Sequence, residues 1–333
     1  MNILTKLSKK NNDIYQNSLD ILNSENPCVM NNKQRVKMTI SCRDTDYIPK
    51  VSNAGKIEKC DKKEVQIMHN GIKVESGGYF GSWMSEIILN LRGHHEPQEE
   101  KLYYEVLKRL KNPGSMIELG AFWSYYSLWF KKNFPKSLVI ACEPDPLNIN
   151  VGKNNAELNN LNIEFVQSAA GSLDKKGVSF KPDSSDYRGT VKTIIRTVDG
   201  LMKEYEVNNL SVLHIDVQGS EMMALEGATG AIRMKSLRFV FVSTHHYSIS
   251  GAPSTHLQCL RWIKKHGGYI ISEHNVTESF SGDGLIVASF CEADKDFHIE
   301  TSINSSNNSL FRSYEKDLES IVKAYDLLTK KVK

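Results

Sequence analysis

The 333-residue chain has no apolar run long enough to span a bilayer, and its opening, MNILTKLSKKNNDIYQNS, lacks the apolar core of a signal peptide. Its six cysteines, Cys28, Cys42, Cys60, Cys142, Cys259 and Cys291, include no CxxC pair. Neither a zinc site nor a disulfide frame is suggested. Cys142 and Cys259 fall in apolar segments, where a thiol behaves as a small hydrophobe. A reducing cytoplasm is the expected compartment. Charge of one sign is also scarce. The formal net charge is +3, and the clusters Lys6-Lys9-Lys10 and Lys330-Lys331-Lys333 lie at the chain ends, where solvated tails account for them. No nucleic-acid partner is expected. The last shortage is local. A loop that a dinucleotide fold would fill with GxGxxG reads Glu118-Leu119-Gly120-Ala121-Phe122-Trp123-Ser124 instead.

What is present is an alternation of strands and helices. SMIEL (Ser115 to Leu119), SLVIACE (Ser137 to Glu143), IEFVQSAA, LSVLHIDV and LRFVFVSTH read as five buried strands. Between them lie helical patterns, one from Ser124 as cap to Lys131 and one opened by Asp145-Pro146 and running to Leu158. YIISEHN and GLIVASF follow, joined too closely for a crossover, so they form an antiparallel hairpin at one edge. The expected fold is α/β, a Rossmann-like doubly wound, mostly parallel sheet of seven strands ending in that hairpin. Residues 1–75 read as an arm or small cap, with an Asn-Gly turn in HNGIKVES suggesting a hairpin. Residues 76–292 make the main domain, and 293–333 a helical extension with a pattern at Leu310 to Leu328. KPDSSDYRGTVKT, Lys181 to Thr193, is a polar insertion between strands three and four.

Ligands of such a sheet bind beyond the carboxyl ends of the strands, where chain direction reverses. Gly120 lets the backbone turn sharply at the end of the first strand. Glu143, at the end of the second, has the acceptor capacity to take both hydroxyl hydrogens of a ribose. An acid before the loop would repel a pyrophosphate, whereas the amine of a methionine-derived sulfonium would accept it. The pattern therefore favours S-adenosylmethionine over NAD.

The motifs EPQE (Glu96 to Glu99), IELGAFWSYYS, EPDPLN and IDVQGSEMMALEGA resemble those of the FkbM-type S-adenosylmethionine-dependent methyltransferases, over roughly Glu96 to Phe290. The chain departs from that pattern at Phe122, where Asn is usual, at Ser124, where Gly is usual, and at Gln218, where an acid is usual. The resemblance implies a class I methyltransferase fold and, most commonly, O-methylation of a hydroxyl, often on a sugar. The residues expected to hold the cofactor are Glu118, Gly120, Ala121, Ser124, Tyr125, Glu143, Pro144, Ser168, Ala169 and Asp216.

Transfer of a methyl group to an alcohol needs an acceptor oxygen held near the methyl carbon and a group to take its proton. The loops after strands four and five carry Asp216, His245 and His246. His245 is the expected base, since a histidine near neutral pKa suits that role and adjacent residues at a strand end point apart. His274 and Asp283 flank the terminal turn and could reach the same cleft. His214 is expected to be buried and satisfied, and His94-His95 could equally be a surface pair. A divalent metal is the less favoured alternative, with Asp216, Glu221 and His245 as conceivable ligands. The expected partner is a small-molecule or glycan acceptor, with self-association through the N-terminal arm left open. Two further readings stand beside the enzyme: a silent cofactor-binding scaffold whose loop Phe122 closes, and an NAD-dependent oxidoreductase.

Overall fold

The computed structural model describes residues 30–60, 63–180, 190–252 and 254–311. All but the first two residues of the expected helix at Leu310 to Leu328, and most of the insertion at Lys181 to Thr193, lie outside them.

The main sheet is built from the apolar runs. Strands β4 (Ser115–Leu119), β5 (Val139–Cys142), β6 (Glu164–Val166), β10 (Leu210–Ile215), β11 (Leu237–Thr244), β12 (Tyr269–His274) and β13 (Gly284–Ser289) lie in the spatial order β12-β13-β11-β10-β4-β5-β6. The five from β11 to β6 are parallel, and β13 runs antiparallel to both β11 and β12. This is the doubly wound sheet with its closing hairpin. The chain direction reverses at β4, flanked by β5 on one side and β10 on the other, which puts the ligand crevice at the carboxyl ends of β4 and β10.

Covered on both faces, the inner strands are largely apolar. Ile117, Leu213 and Val240 pack in one core cluster, and Met116, Val212, Phe239 and Phe241 in another. The period of two then decides where the few polar strand residues go. Glu118, His214 and Ser243 share the face of Met116, Val212 and Phe241, and Glu118 and Phe241 are register partners of His214. That face therefore carries ionisable groups inside the core.

Helix α3 (Pro97–Arg109) lies where those groups need partners. It begins with Pro and carries Glu99 and Glu100 in its first turn and Lys108 and Arg109 in its last, as the helix dipole favours. Helix α5 (Pro146–Leu158) starts as expected, with the Asp145 carboxylate accepting the Leu147 N–H at 2.8 Å. The cysteines at 142 and 259 are buried among apolar side chains.

One expectation needs correction. IEFVQSAA is not one strand. It breaks at Gln167, and Ser168–Ala170 (β7) leaves the main sheet to pair with Val191–Arg196 (β9), itself antiparallel to Lys175–Phe180 (β8). The small side chains of Ser168, Ala169 and Ala170 give little apolar area to hold the segment at the edge of the main sheet. The N-terminal region, for its part, is firmly built from residue 30 onward. Helix α1 (Asn32–Ser41) opens with a reciprocal cap between Asn31 and Gln34. Strands β1 (Ile57–Cys60), β2 (Lys63–Ile67) and β3 (Lys73–Glu75) form an antiparallel sheet, with Asn70-Gly71 in the β2–β3 connection and Gly71 at φ +78°. Helix α2 (Ser82–Asn90) follows, and Val36, Met68, Ile72 and Val74 join the same core cluster as α3.

The far end of α3 is fastened by an ion-pair node. Asp294, fully buried, accepts from Arg109 Nε at 3.0 Å, from Arg238 Nε at 2.9 Å and from Ser289 Oγ at 2.9 Å. Burial opposes its charge, but the bonds from Arg238, Arg109 and Ser289 outweigh that and hold the carboxyl below its ordinary value. Replacing Asp294 by Ala should cost about 2 kcal/mol in urea denaturation, less than a fully buried pair because both guanidinium groups reach solvent. A carboxyl depressed in the folded state stabilises above its unfolded pKa and loses that contribution as pH falls through the folded value. The gap between wild type and variant should therefore narrow below roughly pH 4.

Candidate active site

The loop after β4 is set by three backbone contacts. Gly120 and Ala121 donate to the Cys142 carbonyl at 2.8 and 2.9 Å, and Asp216 donates to the Leu119 carbonyl at 2.9 Å. Gly120 has φ +77°, and a Cβ there would overlap the Asp216 carbonyl oxygen. No other residue fits this position, because the β4 loop and the end of β10 touch through backbone alone.

Phe122 and Ser124 also take positive φ, +39° and +61°. The departures from the family pattern thus fall on left-handed positions, where Asn and Gly are the residues at ease. The strain is held by the surroundings. The Phe122 N–H donates to Glu143 at 3.1 Å, and its ring packs on Tyr79 and Phe80 with centroids 5.0 and 5.6 Å apart. Ser124 stands at the cap position of helix α4 (Tyr125–Asn133), but its side chain makes no cap bond, contrary to expectation, and its buried hydroxyl has no hydrogen-bond partner among the described residues. The left-handed backbone is what denies it the reach of an ordinary cap.

Of the other expected cofactor residues, Glu118 accepts the Ser127 N–H at 3.0 Å, and burial pushes its carboxyl up to about 7. Glu143 accepts from the Asp145 and Phe122 N–H groups and is likewise raised by burial to about 7. Each of its oxygens keeps acceptor capacity beyond those bonds. Pro144 accepts from Gln167 at 3.3 Å, and Ala169 lies half-buried in β7. The buried hydroxyl of Ser168, beside the Cys142 thiol, makes no conventional hydrogen bond among the described residues. Orphaned polar atoms at Ser124, Asp145 and Ser168 surround the ends of β4, β5 and β6. These unmet polar atoms, the glycine-only approach and the acid after β5 fit a nucleoside cofactor. Tyr125 does not join them. It is fully buried, and its hydroxyl bonds to His69 at 2.9 Å in the core.

Beyond the loop, the ends of β10, β11 and β13 bring charged groups together. His245 places Nδ1 2.6 Å from Glu221 Oε1, and Nε2 3.2 Å from Asp216 and 3.7 Å from Asp283. Burial disfavours the imidazolium, yet Asp283, Asp216 and Glu221 outweigh it and hold His245 protonated well above its ordinary pKa. An imidazolium accepts no proton, so the base role expected of His245 does not fit its surroundings. Asp283, reached from the terminal hairpin as the sequence allowed, is pushed up by burial to about 7, with His245 opposing the shift. It lines a narrow pocket together with Glu96, His95, Arg35, Tyr79 and Trp83.

The remaining histidines sort by their bonds. His246 turns away, accepting from Ser248 and stacking on Phe311 at 4.0 Å, and burial lowers its pKa to about 4. His274 is buried and lowered to about 4 by that burial. His214 is buried with Nε2 2.6 Å from Glu99, which Ser243 also serves at 3.1 Å. His94 and His95 are no surface pair. Both are buried, with Nδ1 of each directed at Glu100. Arg35, Tyr79 and Trp83 were missed because α1, α2 and the turn before α2 reach the pocket only through tertiary packing. The single sequence hint was the aromatic run Tyr79-Phe80-Gly81-Ser82-Trp83.

Residues 108–271 match the family model described as the Methyltransferase FkbM domain, inside the span that the motifs marked out. No curated protein matches the sequence. Among solved structures, the chain is similar to TrmK of M. capricolum with S-adenosyl-homocysteine, at 14% identity, 60% of this chain, 74% of that chain and TM-score 0.35. It is also similar to the N-terminal domain of human METTL16 with S-adenosyl-homocysteine (16%, 59%, 71%, TM-score 0.37). A third is precorrin-6y C5,15-methyltransferase of Geobacter metallireducens (11%, 57%, 87%, TM-score 0.36).

Relieving the loop should be visible in stability. Ser124→Gly removes a left-handed non-glycine residue and an orphaned hydroxyl, and should raise unfolding free energy by about 1 kcal/mol, net of glycine's greater unfolded entropy. Gly120→Ala should fail to give folded protein, or lose several kcal/mol, in the same urea titration.

Proposed function

From the Methyltransferase FkbM domain that this chain carries over residues 108–271, we propose an S-adenosylmethionine-dependent methyltransferase acting on a hydroxyl group, of a sugar or of another small acceptor. The observation that carries the reading is a juxtaposition. The glycine loop touches the backbone of Asp216, and the carboxylate of that same residue lies 3.2 Å from His245 in the charged cluster beside the pocket. A cofactor loop and a proton-handling cluster therefore share one residue.

S-adenosylmethionine, when bound, supplies a methyl group on a positively charged sulfur. The chain's residues divide the remaining work. Glu143 would accept hydrogens of the ribose hydroxyls with the acceptor capacity its two backbone bonds leave. Asp216 contributes negative charge next to the loop, which favours a cationic ligand there. Glu96 is held by His95 at 3.2 Å and Tyr126 at 3.2 Å, and it lines the pocket as a hydrogen-bond acceptor for an acceptor hydroxyl. Asp283 takes the proton, since its pKa of about 7 is poised for exchange near neutral pH. His245, anchored on Glu221, acts as a fixed cation that positions Asp216 and Asp283. Tyr79 and Trp83 offer ring faces against which a sugar or aromatic ring can lie.

Calorimetric titration with S-adenosyl-homocysteine tests the cofactor. Micromolar binding, weakened tenfold or more in Glu143→Ala, is expected, and NAD should give no heat. Absence of binding to folded protein at millimolar ligand would sink the reading and leave a silent scaffold. Once an acceptor is in hand, turnover should rise with pH through about 7 as Asp283 ionises, and Asp283→Asn should cut kcat by about 10²–10⁴ and abolish that limb of the profile. A profile with no inflection between pH 6 and 8, roughly, would move the proton-accepting role elsewhere.

A further inference from the structure

The pocket beside the charged cluster holds a cation with no role in the proton transfer. Arg35 projects from α1, half-buried, and its guanidinium carbon lies over the Trp83 ring, 4.6 Å from the centroid. The aromatic face supports the flat group and leaves its in-plane N–H donors to other partners. Those donors are poorly used. Nη2 makes a long bond to the Ser281 carbonyl, at 3.4 Å, and the buried Nε has no hydrogen-bond partner among the described residues. A buried guanidinium N–H without an acceptor is costly.

The carboxylates of the pocket do not supply that acceptor. Glu96 lies 3.2 Å from His95 Nε2, and Asp283 lies 3.7 Å from His245 Nε2, so each has a histidine of its own. Burial opposes the charge on His95, but Glu96 and Glu100 outweigh it and push the pKa up to about 10. Arg35 acts on Asp283 from a distance, after burial, His245, Asp216 and Glu96 in effect. Among the described residues, no carboxylate lies within 4.0 Å of the Arg35 guanidinium. Its charge is left for a ligand to meet.

The surroundings fix where that ligand would sit. Thr39, one turn further along α1, donates its hydroxyl to the Phe280 carbonyl at 2.7 Å and so ties the helix to the terminal hairpin. Gly282 packs close to Arg35 Nη2, which a Cβ there would meet at 3.6 Å. Arg35 therefore stands against the turn that carries Asp283. An anionic group on Arg35 and a hydroxyl at Asp283 can belong to one small molecule. The cavity between them is about 30 Å³, room for a flat carboxylate and little more.

We propose that Arg35 is the anion subsite of this pocket, and that the acceptor is a hydroxy acid such as a uronic acid. Its carboxylate lies on the Arg35 fork and its hydroxyl faces Asp283 and Glu96. The assignment deepens, and rests on, the methyltransferase reading of the same crevice. Carboxylate and guanidinium meet through two parallel N–H···O bonds, one of them from Nε. A neutral acceptor would leave Nε unmet and is disfavoured for that reason. With both carboxylate oxygens engaged, the hydroxyl is the oxygen free to receive the methyl group.

The test is an NMR titration of the full, isotope-labelled chain at constant ionic strength. The Arg35 Nε–H signal is identified by its loss in Arg35→Lys. Glycolate, a minimal hydroxy acid, should shift that signal and the Trp83 indole N–H saturably, with a Kd of about 1–10 mM. Its uncharged amide, glycolamide, should shift neither, and inorganic phosphate should bind about tenfold more weakly. In Arg35→Lys with a native circular dichroism spectrum, the Trp83 response should need about tenfold more glycolate, because an ammonium keeps the charge without the fork. Wild-type signals unmoved at about 100 mM glycolate, an equal response to glycolamide, or tighter binding of phosphate would each overturn the proposal, whether or not the variant folds. The titration requires neither cofactor nor turnover. Glycolate binding without S-adenosyl-homocysteine binding would sink the methyltransferase reading, and with it the acceptor, while leaving the anion subsite. The reverse result would keep the enzyme and remove the hydroxy-acid acceptor.

Discussion

Three glutamates in and beside the first turn of one helix hold the charged interior of this protein together. Glu96, Glu99 and Glu100 pair with His95, His214 and the His94-His95 couple, and each is wholly or largely removed from water. A buried carboxylate without a partner is costly, so α3 can dock only where those histidines stand. The histidines come from two different places, the turn after α2 and the carboxyl end of β10. The helix, the N-terminal segment and the sheet are thereby fixed to one another through charge as well as through apolar area.

The same requirement shapes the crevice. Strand alternation sends Glu118, His214 and Ser243 to the α3 face, and one further step along β10 and β11 brings Asp216 and His245 out at the strand ends on that face. The polar interior under α3 and the cluster at the crevice are continuous in space and similar in composition. Protonation at one point is felt at the next. Glu118, for example, is raised by burial but restrained by His214, whose own proton is held by Glu99.

Much of the fold was legible because β4, β5, β10, β11 and β13 carry apolar residues on both faces, which only a covered sheet requires. Asp145-Pro146 announced its helix, and Gly120 with Glu143 marked the crevice. The rest depended on neighbours that sequence does not display. The pair His94-His95 reads equally well as surface until Glu100 is seen to face both residues. Tyr125 lies in the cofactor motif, yet the His69 imidazole draws its hydroxyl inward. His245 looked like a base because its three carboxylate neighbours come from the loop after β10, α6 (Glu221–Glu226) and the terminal hairpin, and only the assembled fold adds their charges at one ring. The break at Gln167 had no signal beyond small residues. The left-handed loop positions at Phe122 and Ser124 ran against residue preference and so could not be anticipated from it.

The packing of α1 and the N-terminal sheet into the α3 cluster bears on modularity. Val36, Met68, Ile72 and Val74 share a core with Leu102, Trp129 and Phe241, and Phe122 of the loop rests on Tyr79 and Phe80. The stretch that matches the family is thus not a unit that could be cut out and transplanted. Exchange of parts between related chains would have to carry the residues from Asn31 onward as one inheritance, and sequence drift before α3 is constrained by the geometry of a loop that lies after it.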